Sequence, residues 1–271
     1  MSVPLWTIEV LKKGFRFRFF LAKLTRIPLV GKFIHNLCFR GDEIIYLPRD
    51  DIIPVNRSLK DQNNVVLPSE IVHHFVEQSE FHWIMNFCLC RDSEACRNYP
   101  VNLGCLFLGR AVLGINPELG RRASKEEAHR HIQMCREAGL VHMIGRNRLD
   151  TLWLNIGPGD RLLTICNCCP CCCLWKMLPA LKPSIGAKVT RVPGLSITVT
   201  DRCVACGKCT EGICFVDAVK IVDGKARIGS ECRGCGLCVD MCPNGAIELT
   251  VNDHRFIAHS IAKIESLVDL T

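Results

Sequence analysis

The alternation of apolar and polar residues in the middle of the chain predicts one helix and three strands. Ser124–Glu127 has the capping-box pattern that begins a helix, and Gly139 is suited to end it. Leu140–Ile144 and Thr151–Ile156 then alternate as two strands of a hairpin would, and Arg161–Ile165 alternates as a third. A helix followed by a hairpin has a winged-helix-like outline, which raises DNA-linked regulation as one hypothesis.

A second pattern of short strands occupies the last third of the chain. Ser196–Thr200 and Ala246–Val251 both alternate like strands with one buried face. Between them, Val219–Val222 and Lys225–Ile228 flank Asp223-Gly224, a dipeptide that favours a tight hairpin turn. The pattern predicts a small, separate β-containing unit.

The patterns at the two ends of the chain predict amphipathic helices. If residues 5–26 are helical, Lys12, Arg16 and Lys23 lie on one face and apolar side chains lie on the other. Residues 252–271 place apolar side chains at helical spacing and predict a helix that packs on a neighbouring element.

The charge of the chain is concentrated at its beginning. Residues 1–40 contain eight Lys and Arg against Glu9 alone, and the whole chain has a net charge of +7. Bases interleaved with aromatics suit an anionic membrane surface, with the helix lying in the interface. The alternative is a helix that packs on the protein's own core and has a solvated basic edge. Nucleic acid is disfavoured, because the remaining residues are formally neutral.

The chain contains 20 cysteines, a share well above ordinary usage that raises either disulfides or metal binding as their role. Residues 1–11 lack the basic start and continuous apolar run of a signal peptide, so a disulfide framework is not expected. No uncharged apolar run is long enough for a transmembrane helix. These features predict a cytoplasmic protein, with residues 1–40 placing it peripherally on the inner face of the membrane. The cluster-type cysteine spacing between Cys203 and Cys242 predicts that this compartment is reducing and anaerobic.

Eight of the cysteines fall into two matching runs. The first run is Cys203-x2-Cys206-x2-Cys209 with Cys214 after it, and the second is Cys232-x2-Cys235-x2-Cys238 with Cys242-Pro243 after it. The second run has the C-x2-C-x2-C-x3-C-P spacing that holds 4Fe–4S clusters, because a tight turn aims three thiolates at one cube. Gly207, Gly234 and Gly236 allow the backbone to approach the sulfurs. Zinc is the alternative, since C-x2-C pairs also bind zinc.

The region from Leu195 to Val251 resembles a bacterial-type ferredoxin with two 4Fe–4S clusters. That resemblance implies that each run donates its last cysteine to the other cluster. One cluster would take Cys203, Cys206, Cys209 and Cys242, and the other would take Cys232, Cys235, Cys238 and Cys214. This chain departs from the pattern in two ways: four residues separate Cys209 from Cys214, and Phe215 stands where proline is usual. We expect the longer loop to change how Cys214 is presented.

The middle of the chain has ten further candidate ligands in two groups. Cys88, Cys90, Cys96 and Cys105 have C-x-C-x5-C-x8-C spacing, and in a strand the first two would share a face. They suit a third 4Fe–4S cluster or zinc, with buried free thiols as the alternative, and Arg91 and Arg97 would stabilise thiolates. The second group is Cys166, Cys168, Cys169, Cys171, Cys172 and Cys173. The ten thiols suffice for two cubanes or for one larger non-cubane cluster, and spacing does not decide which ones bind.

The C-x-C-R motif, the C-N-C-C-x-C-C-C motif and the ferredoxin runs together resemble a poorly characterised family of anaerobic iron–sulfur proteins. The fold class we predict is α+β, with a two-cluster ferredoxin-like module appended to a cysteine-rich α+β domain. The boundaries are a basic segment and connector at 1–60, a metal-binding domain at 61–180, a linker at 181–194, the ferredoxin module at 195–251 and a C-terminal helix at 252–271.

The sequence is compatible with three functions. The first is electron transfer, in which clusters in series relay single electrons between a reduced donor and a membrane-associated or protein partner. The second is an iron–sulfur oxidoreductase whose active centre, at Cys166–Cys173, acts on a small molecule, a thiol or a disulfide. The third is a redox-sensing regulator. No nucleotide-binding motif or acid–base pair identifies a catalytic residue.

Overall fold

The structure, a computed structural model, describes residues 2–50, 67–253 and 255–270. Its largest element is a seven-stranded sheet with the order β4-β2-β3-β6-β5-β1-β7. The strands are β1 (Glu43–Tyr46), β2 (His82–Met85), β3 (Leu106–Leu108), β4 (Gly120–Ala123), β5 (Val141–Arg146), β6 (Leu163–Cys168) and β7 (Val189–Arg191). All pairs are antiparallel except β1 with β7.

Helices cover this sheet and carry the chain between its strands. They are α1 (Leu5–Gly14), α2 (Arg18–Leu24), α3 (Pro28–Ile34), α4 (Ser69–Gln78), α5 (Leu89–Ser93), α6 (Lys125–Glu137), α7 (Arg148–Leu154), α8 (Pro183–Gly186), α9 (Leu237–Asp240) and α10 (Phe256–Glu265). Helices and mixed sheets together confirm the α+β class.

The ferredoxin-like region contributes two small sheets. β8 (Leu195–Val199) pairs with β11 (Ile247–Val251), and β9 (Val219–Val222) pairs with β10 (Lys225–Ile228), both antiparallel. The hairpin predicted around Asp223-Gly224 is confirmed, and Asp223 and Gly224 both have positive φ, as the tight turn requires.

Alternation along β1 sends its side chains to two separate cores. Ile45, with the adjacent Leu47, joins the core beneath α4, α6 and α10, to which β8 and β11 also contribute. Ile44 and Tyr46 face the opposite side, where they pack with Trp175 and Phe215 among others. The large sheet therefore buries both faces, and the ferredoxin-like region packs against it on both sides.

The segment predicted as a linker, 181–194, is structured. α8 lies within it, and β7 adds an edge strand to the large sheet by pairing with β1, with Ile44 opposite Val189. The boundary between the first two predicted domains, at residue 60, lies outside the described residues. Within the predicted metal-binding domain, α4 begins at Ser69.

The predicted strand at Thr151–Ile156 is wrong, because α7 occupies that position. The Asn147 side chain accepts a hydrogen bond from the Leu149 amide at 3.2 Å and begins the helix. Asp150 is buried in its first turn and accepts a hydrogen bond from the Trp153 indole at 2.9 Å. These local bonds outweigh the alternating pattern, and the hairpin on which the winged-helix-like outline depended is absent from this segment.

The N-terminal helix predicted over residues 5–26 is interrupted. α1 and α2 are joined by a 3-10 turn at Phe15–Phe17, so the residues do not share the single face expected for one helix. Arg18 is buried and forms an ion pair with Glu94 at 2.5 Å, and Lys12 forms one with Asp92 at 2.7 Å. The segment is thus anchored to the domain body by part of its basic charge.

Candidate metal centres

The two cysteine runs of the ferredoxin-like region come together in the crossed arrangement that the resemblance implied. Burial raises the pKa of Cys209, and the sulfurs of Cys242, Cys203 and Cys206 raise it further. Those four cysteines line one pocket. Each run therefore places its last cysteine beside the first three of the other run.

The second four-cysteine set is more buried than the first. Burial raises the pKa of Cys235 to about 12, and the neighbouring sulfurs of Cys214 and Cys232 contribute. The pKa of Cys238 is raised in the same way, first by burial and then by the other three sulfurs. Cys206, by contrast, is exposed in the first set. The two sets differ in their access to solvent.

Backbone amides donate hydrogen bonds to the sulfurs in equivalent places. The Ala218 amide donates to Cys214 Sγ at 3.2 Å, and the Ala246 amide donates to Cys242 Sγ at the same distance. Amides aimed at sulfur stabilise the negative charge of thiolates and of clusters. The same relationship in both halves indicates an internal repeat that includes the two matching cysteine runs.

Positive φ values explain the glycines of the runs. Gly207 and Gly236 each follow the second cysteine of a run and have φ of +79° and +86°. Gly234 has φ of +72°, and Ala205 holds the equivalent place in the first run at +54°. The chain bends at these points so that successive cysteines face one site.

Phe215 is the residue that replaces the usual proline, and it has a packing role. It is 2% exposed and lies in the same apolar cluster as Tyr46 of β1. The ring centroids of Phe215 and Tyr46 are 5.3 Å apart. The departure from the ferredoxin pattern thus fixes the Cys214 loop against the large sheet.

The ten middle cysteines divide into two sets that do not follow their order in the sequence. We call them the extended set and the compact set. The extended set consists of Cys88, Cys90, Cys105, Cys166, Cys168 and Cys173. The compact set consists of Cys96, Cys169, Cys171 and Cys172. The C-x-C-x5-C-x8-C group of the sequence does not form one site, because Cys96 belongs to a different set from the other three.

The extended set is held by the sheet and by the start of a helix. Cys166 and Cys168 lie in β6 and share a face, while Cys105 immediately precedes β3. Cys105 Sγ lies 3.7 Å from Cys166 Sγ. Cys88 and Cys90 do not lie in a strand; they lie at the start of α5, where Cys88 is the N-cap residue. A hydrogen bond from Cys90 and the positive charge of Arg91 lower the pKa of Cys88.

Arg91 is a buried cation between the two sets. It is 0% exposed; its guanidinium donates to the Asn167 carbonyl at 2.7 Å and to the Leu103 carbonyl. Burial opposes its ionisation, but the neighbouring cysteine sulfurs, with Cys88 and Cys169 contributing most, together outweigh burial and raise the pKa of Arg91. The predicted stabilising role fits this position, whereas Arg97 is exposed.

Tyr46 is a site residue that the sequence did not indicate. Burial raises its pKa well above the usual value, and the sulfurs of Cys173, Cys168 and Cys235 raise it further. Tyr46 therefore lies between the extended set and the second ferredoxin set. Its place in β1 looks like ordinary core in the sequence, and only the fold shows that the side chain reaches thiols from both regions.

Two buried donors test whether these residues fit an iron–sulfur cluster. The Tyr46 hydroxyl and Arg91 Nε are buried and have no hydrogen-bond partner among the described residues. Buried donors are nearly always paired, so each unpaired one calls for an acceptor. Both side chains lie beside sulfurs of the extended set, and cluster sulfurs accept hydrogen bonds. The residues fit such a group.

Cys38 and Cys135 belong to none of these cysteine sets. Cys135 is fully buried in α6, with its sulfur 3.7 Å from His131 Nε2, and burial raises its pKa. Cys38 is half-buried, and burial raises its pKa as well. They leave eighteen of the 20 cysteines in the four sets.

Comparison with known proteins identifies one part of the chain. A family model described as 4Fe-4S binding domain matches residues 228–248, which include Cys232, Cys235, Cys238 and Cys242. No curated protein and no solved structure matches the chain. The C-terminal region is therefore an iron–sulfur, ferredoxin-like module with support for at least one 4Fe–4S cluster.

Proposed function

We propose that the protein is an iron–sulfur electron-transfer protein. It relays single electrons between a reduced donor and a membrane-associated or protein partner. Two 4Fe–4S clusters are held by the crossed cysteine sets of the ferredoxin-like module, and a further cluster is held by the extended set. The clusters supply one-electron redox chemistry, and the chain holds them close together in a dry environment.

The observation that carries this proposal is the shared apolar cluster between the two regions. Tyr46 and Phe215 lie in it together with Cys168 and Cys173 of the extended set and Cys232 of the second ferredoxin set. Only packed side chains separate the thiols of one region from those of the other. A continuous dry contact of this kind is what electron transfer between clusters needs, and structural clusters would not require it.

The exposed residues of the ferredoxin-like module indicate where an electron donor would dock. Cys206 is exposed, and the adjacent Val204 is 67% exposed. The second set is enclosed between the module and the large sheet. A soluble donor would therefore dock at the Cys206 face, and electrons would pass from the first set to the second and on to the extended set.

The width of the extended set supports a polynuclear cluster over a single ion. Its sulfurs form a string from Cys105 through Cys166 and Cys168 to Cys173, with Cys88 and Cys90 alongside. Within the described residues, no three of these sulfurs lie within 4.8 Å of one another. The six sulfurs therefore do not converge on one point, as the ligands of a single ion would, and a cluster with several irons accommodates such a wide set.

A second candidate function, oxidoreductase activity at the extended set, is favoured by one observation. Six thiols gather there, and a cubane needs only four. A non-cubane cluster with an open iron position would act on a small molecule, a thiol or a disulfide. A spectroscopic signal from this cluster that shifts when a thiol is added would support this function over simple relay.

The N-terminal segment supports a membrane-associated partner, and we propose an anionic bilayer surface as its contact. Trp6, Phe20, Leu29 and Phe33 are 60–84% exposed. Exposed bases are interspersed with them, namely Lys13, Arg16, Lys23, Arg26, Lys32 and Arg40. Apolar side chains together with bases match the two attractions of an anionic interface. No helix among the described residues is long and apolar enough to cross the membrane.

Flash photoreduction with freeze-quench EPR tests the relay. In the anaerobic full-length protein, we expect the ferredoxin clusters to be reduced first and the extended-set cluster to follow. Phe215→Ala opens a gap at the contact and should slow the second phase severalfold, whereas Val222→Ala, in the exposed β9–β10 hairpin, should leave it unchanged. An equal second phase in Phe215→Ala, or no transfer in the wild type, would refute the relay.

A further inference from the structure

The compact set is far tighter than the other cysteine sets. Cys171 Sγ lies 3.6 Å from Cys96 Sγ, 3.4 Å from Cys169 Sγ and 3.5 Å from Cys172 Sγ. All four sulfurs lie within 4.8 Å of one another. Four sulfurs at this spacing converge on a single point.

That spacing fits one metal ion and not a cubane. Four thiolates bound tetrahedrally to zinc at about 2.3 Å stand roughly 3.8 Å apart. In a cubane each thiolate binds a different iron at a corner of the cube, so the sulfurs stand further apart. The ferredoxin-like module is an internal reference for this difference. Across the described parts of the chain, the compact set alone brings three or more potential ligand atoms within 4.8 Å.

We propose that Cys96, Cys169, Cys171 and Cys172 bind a single zinc ion. With four protein ligands the ion has no open position, so the site is structural and not catalytic. The zinc takes no part in electron transfer itself. It also reduces the number of iron–sulfur clusters outside the ferredoxin-like module to one, because only the extended set is left to hold iron.

The surroundings suit a closed tetrathiolate site. Cys169 and Cys172 are buried in a small apolar cluster with Leu103 and Leu140. The Cys172 amide donates a hydrogen bond to Cys169 Sγ. Amide donors of this kind offset the negative charge that four thiolates keep around a divalent ion.

Charge near Cys96 and Cys169 is balanced in the same way. The amides of Asn98 and Tyr99 donate to Cys96 Sγ. The buried Arg91 guanidinium acts on Cys169. A zinc ion with four thiolates has a net charge of about −2, and these donors and this cation supply the compensation that a buried anion needs.

The position of the site explains the dense Cys166–Cys173 run. Neighbouring cysteines serve different sites: Cys168 and Cys173 belong to the extended set, while Cys169 and Cys172 lie between them in the compact set. Bound zinc would fix the turn after β6 to Cys96, which is 75 residues distant from Cys171. It would thereby fix the flanking ligands of the extended set.

Metal analysis of the full-length protein purified anaerobically tests the site. We expect about one zinc per wild-type chain, in addition to iron and sulfide. Cys96→Ser should lose that zinc, and Cys38→Ser, which changes a cysteine outside all four sets, should retain it. A wild-type chain without zinc, or a Cys96→Ser chain that keeps its zinc, overturns the proposal.

X-ray absorption at the zinc edge of the wild type identifies the ligands of the zinc even if Cys96→Ser fails to fold. We expect four sulfur neighbours at about 2.3 Å and no nitrogen or oxygen neighbours. Mixed ligands would overturn the assignment. Failure of the relay is separately visible as slow or absent reduction of the extended-set cluster, with zinc unchanged.

Discussion

Tyr46 and Phe215 are in contact across the two halves of the molecule, with ring centroids 5.3 Å apart and the ring planes inclined by 56°. Tyr46 comes from β1 of the large sheet, and Phe215 directly follows Cys214 of the ferredoxin-like module. Both rings are almost completely buried. The contact encloses the second ferredoxin set and joins it to the thiols of the extended set.

Removal of the Tyr46 hydroxyl should change a redox potential without changing the fold. Its raised pKa keeps it protonated, so it is a donor that favours the reduced, more negative state of an adjacent cluster. Tyr46→Phe should lower the potential of the extended-set cluster by about 40 mV, which corresponds to a hydrogen bond of about 1 kcal/mol in a one-electron couple. Potentiometric EPR measures the shift.

The Tyr46→Phe result has a clear control. Phe215→Leu keeps the hydroxyl and an apolar side chain at the contact, so its extended-set potential should match that of the wild type. An unchanged potential in Tyr46→Phe would mean that the hydroxyl is not a donor to the cluster.

Replacement of Arg91 should cause loss of the iron–sulfur cluster from the extended set. Arg91→Met removes a cation that is buried beside thiolates of both middle sets, and loss of one partner from such a pair costs on the order of 3–5 kcal/mol. We expect the extended-set signal to disappear while the ferredoxin EPR signal persists. Arg91→Lys retains the charge but not the forked geometry, and should give partial loading. Full iron content in Arg91→Met would contradict this role.

Asp42 should make the stability of the protein depend on pH. Burial raises its pKa to about 7, although the Arg148 amide donates to it. The Asp42 carboxyl ionises near pH 4 in the unfolded chain and only near pH 7 in the folded protein. The free energy of unfolding therefore falls as the pH rises between these values, and Asp42 causes no further fall above pH 7. Asp42→Asn removes the penalty and should raise the melting temperature at pH 8 by several degrees.

Measurement at several pH values distinguishes the titration of Asp42 from a pH-independent effect of the substitution on stability. The advantage of Asp42→Asn should shrink as the pH falls from 8 toward 5, because the folded wild-type carboxyl becomes neutral. Asp160→Asn, at an exposed position, should follow the wild type. A constant difference across the pH range would show that Asp42 does not titrate near 7.

Charge reversal on the N-terminal segment should abolish membrane binding. Lys13, Lys23 and Lys32 are exposed among apolar side chains, and each base near an anionic surface contributes about 1 kcal/mol. Reversal of three bases changes the charge by six units, so the triple Lys→Glu variant should bind phosphatidylserine vesicles at least about a thousandfold more weakly in sedimentation assays. The control variant reverses Arg110, Arg130 and Lys220 and should bind as the wild type does. Equal loss in both variants would point to net charge alone.

The regular features of the fold could be predicted from local sequence. The capping box at Ser124 is present, with Glu127 bonded back to the Ser124 amide. The β9–β10 hairpin and the positive φ of Gly207 and Gly236 followed from turn chemistry that acts within a few residues. In each case the decisive interaction is made between neighbours in the sequence.

The candidate sites were less predictable because distant contacts decide them. Cys96 joins Cys171 across 75 residues, so no spacing rule assigns it. Thr151–Ile156 alternates as a strand would, yet the Asn147 cap and buried Asp150 make that region helical. Phe215 was visible as a departure from the ferredoxin pattern, but its partner Tyr46 became apparent only in the folded chain.

Iron and acid-labile sulfide counts on the anaerobically purified protein, combined with EPR of the reduced sample, show whether both regions hold iron–sulfur clusters. We expect about eight iron and eight sulfide for the ferredoxin-like module and further iron and sulfide for the extended set. The EPR spectrum should show interacting 4Fe–4S clusters together with an additional signal. A colourless protein, or one that contains zinc and no sulfide, would show that neither region holds an iron–sulfur cluster.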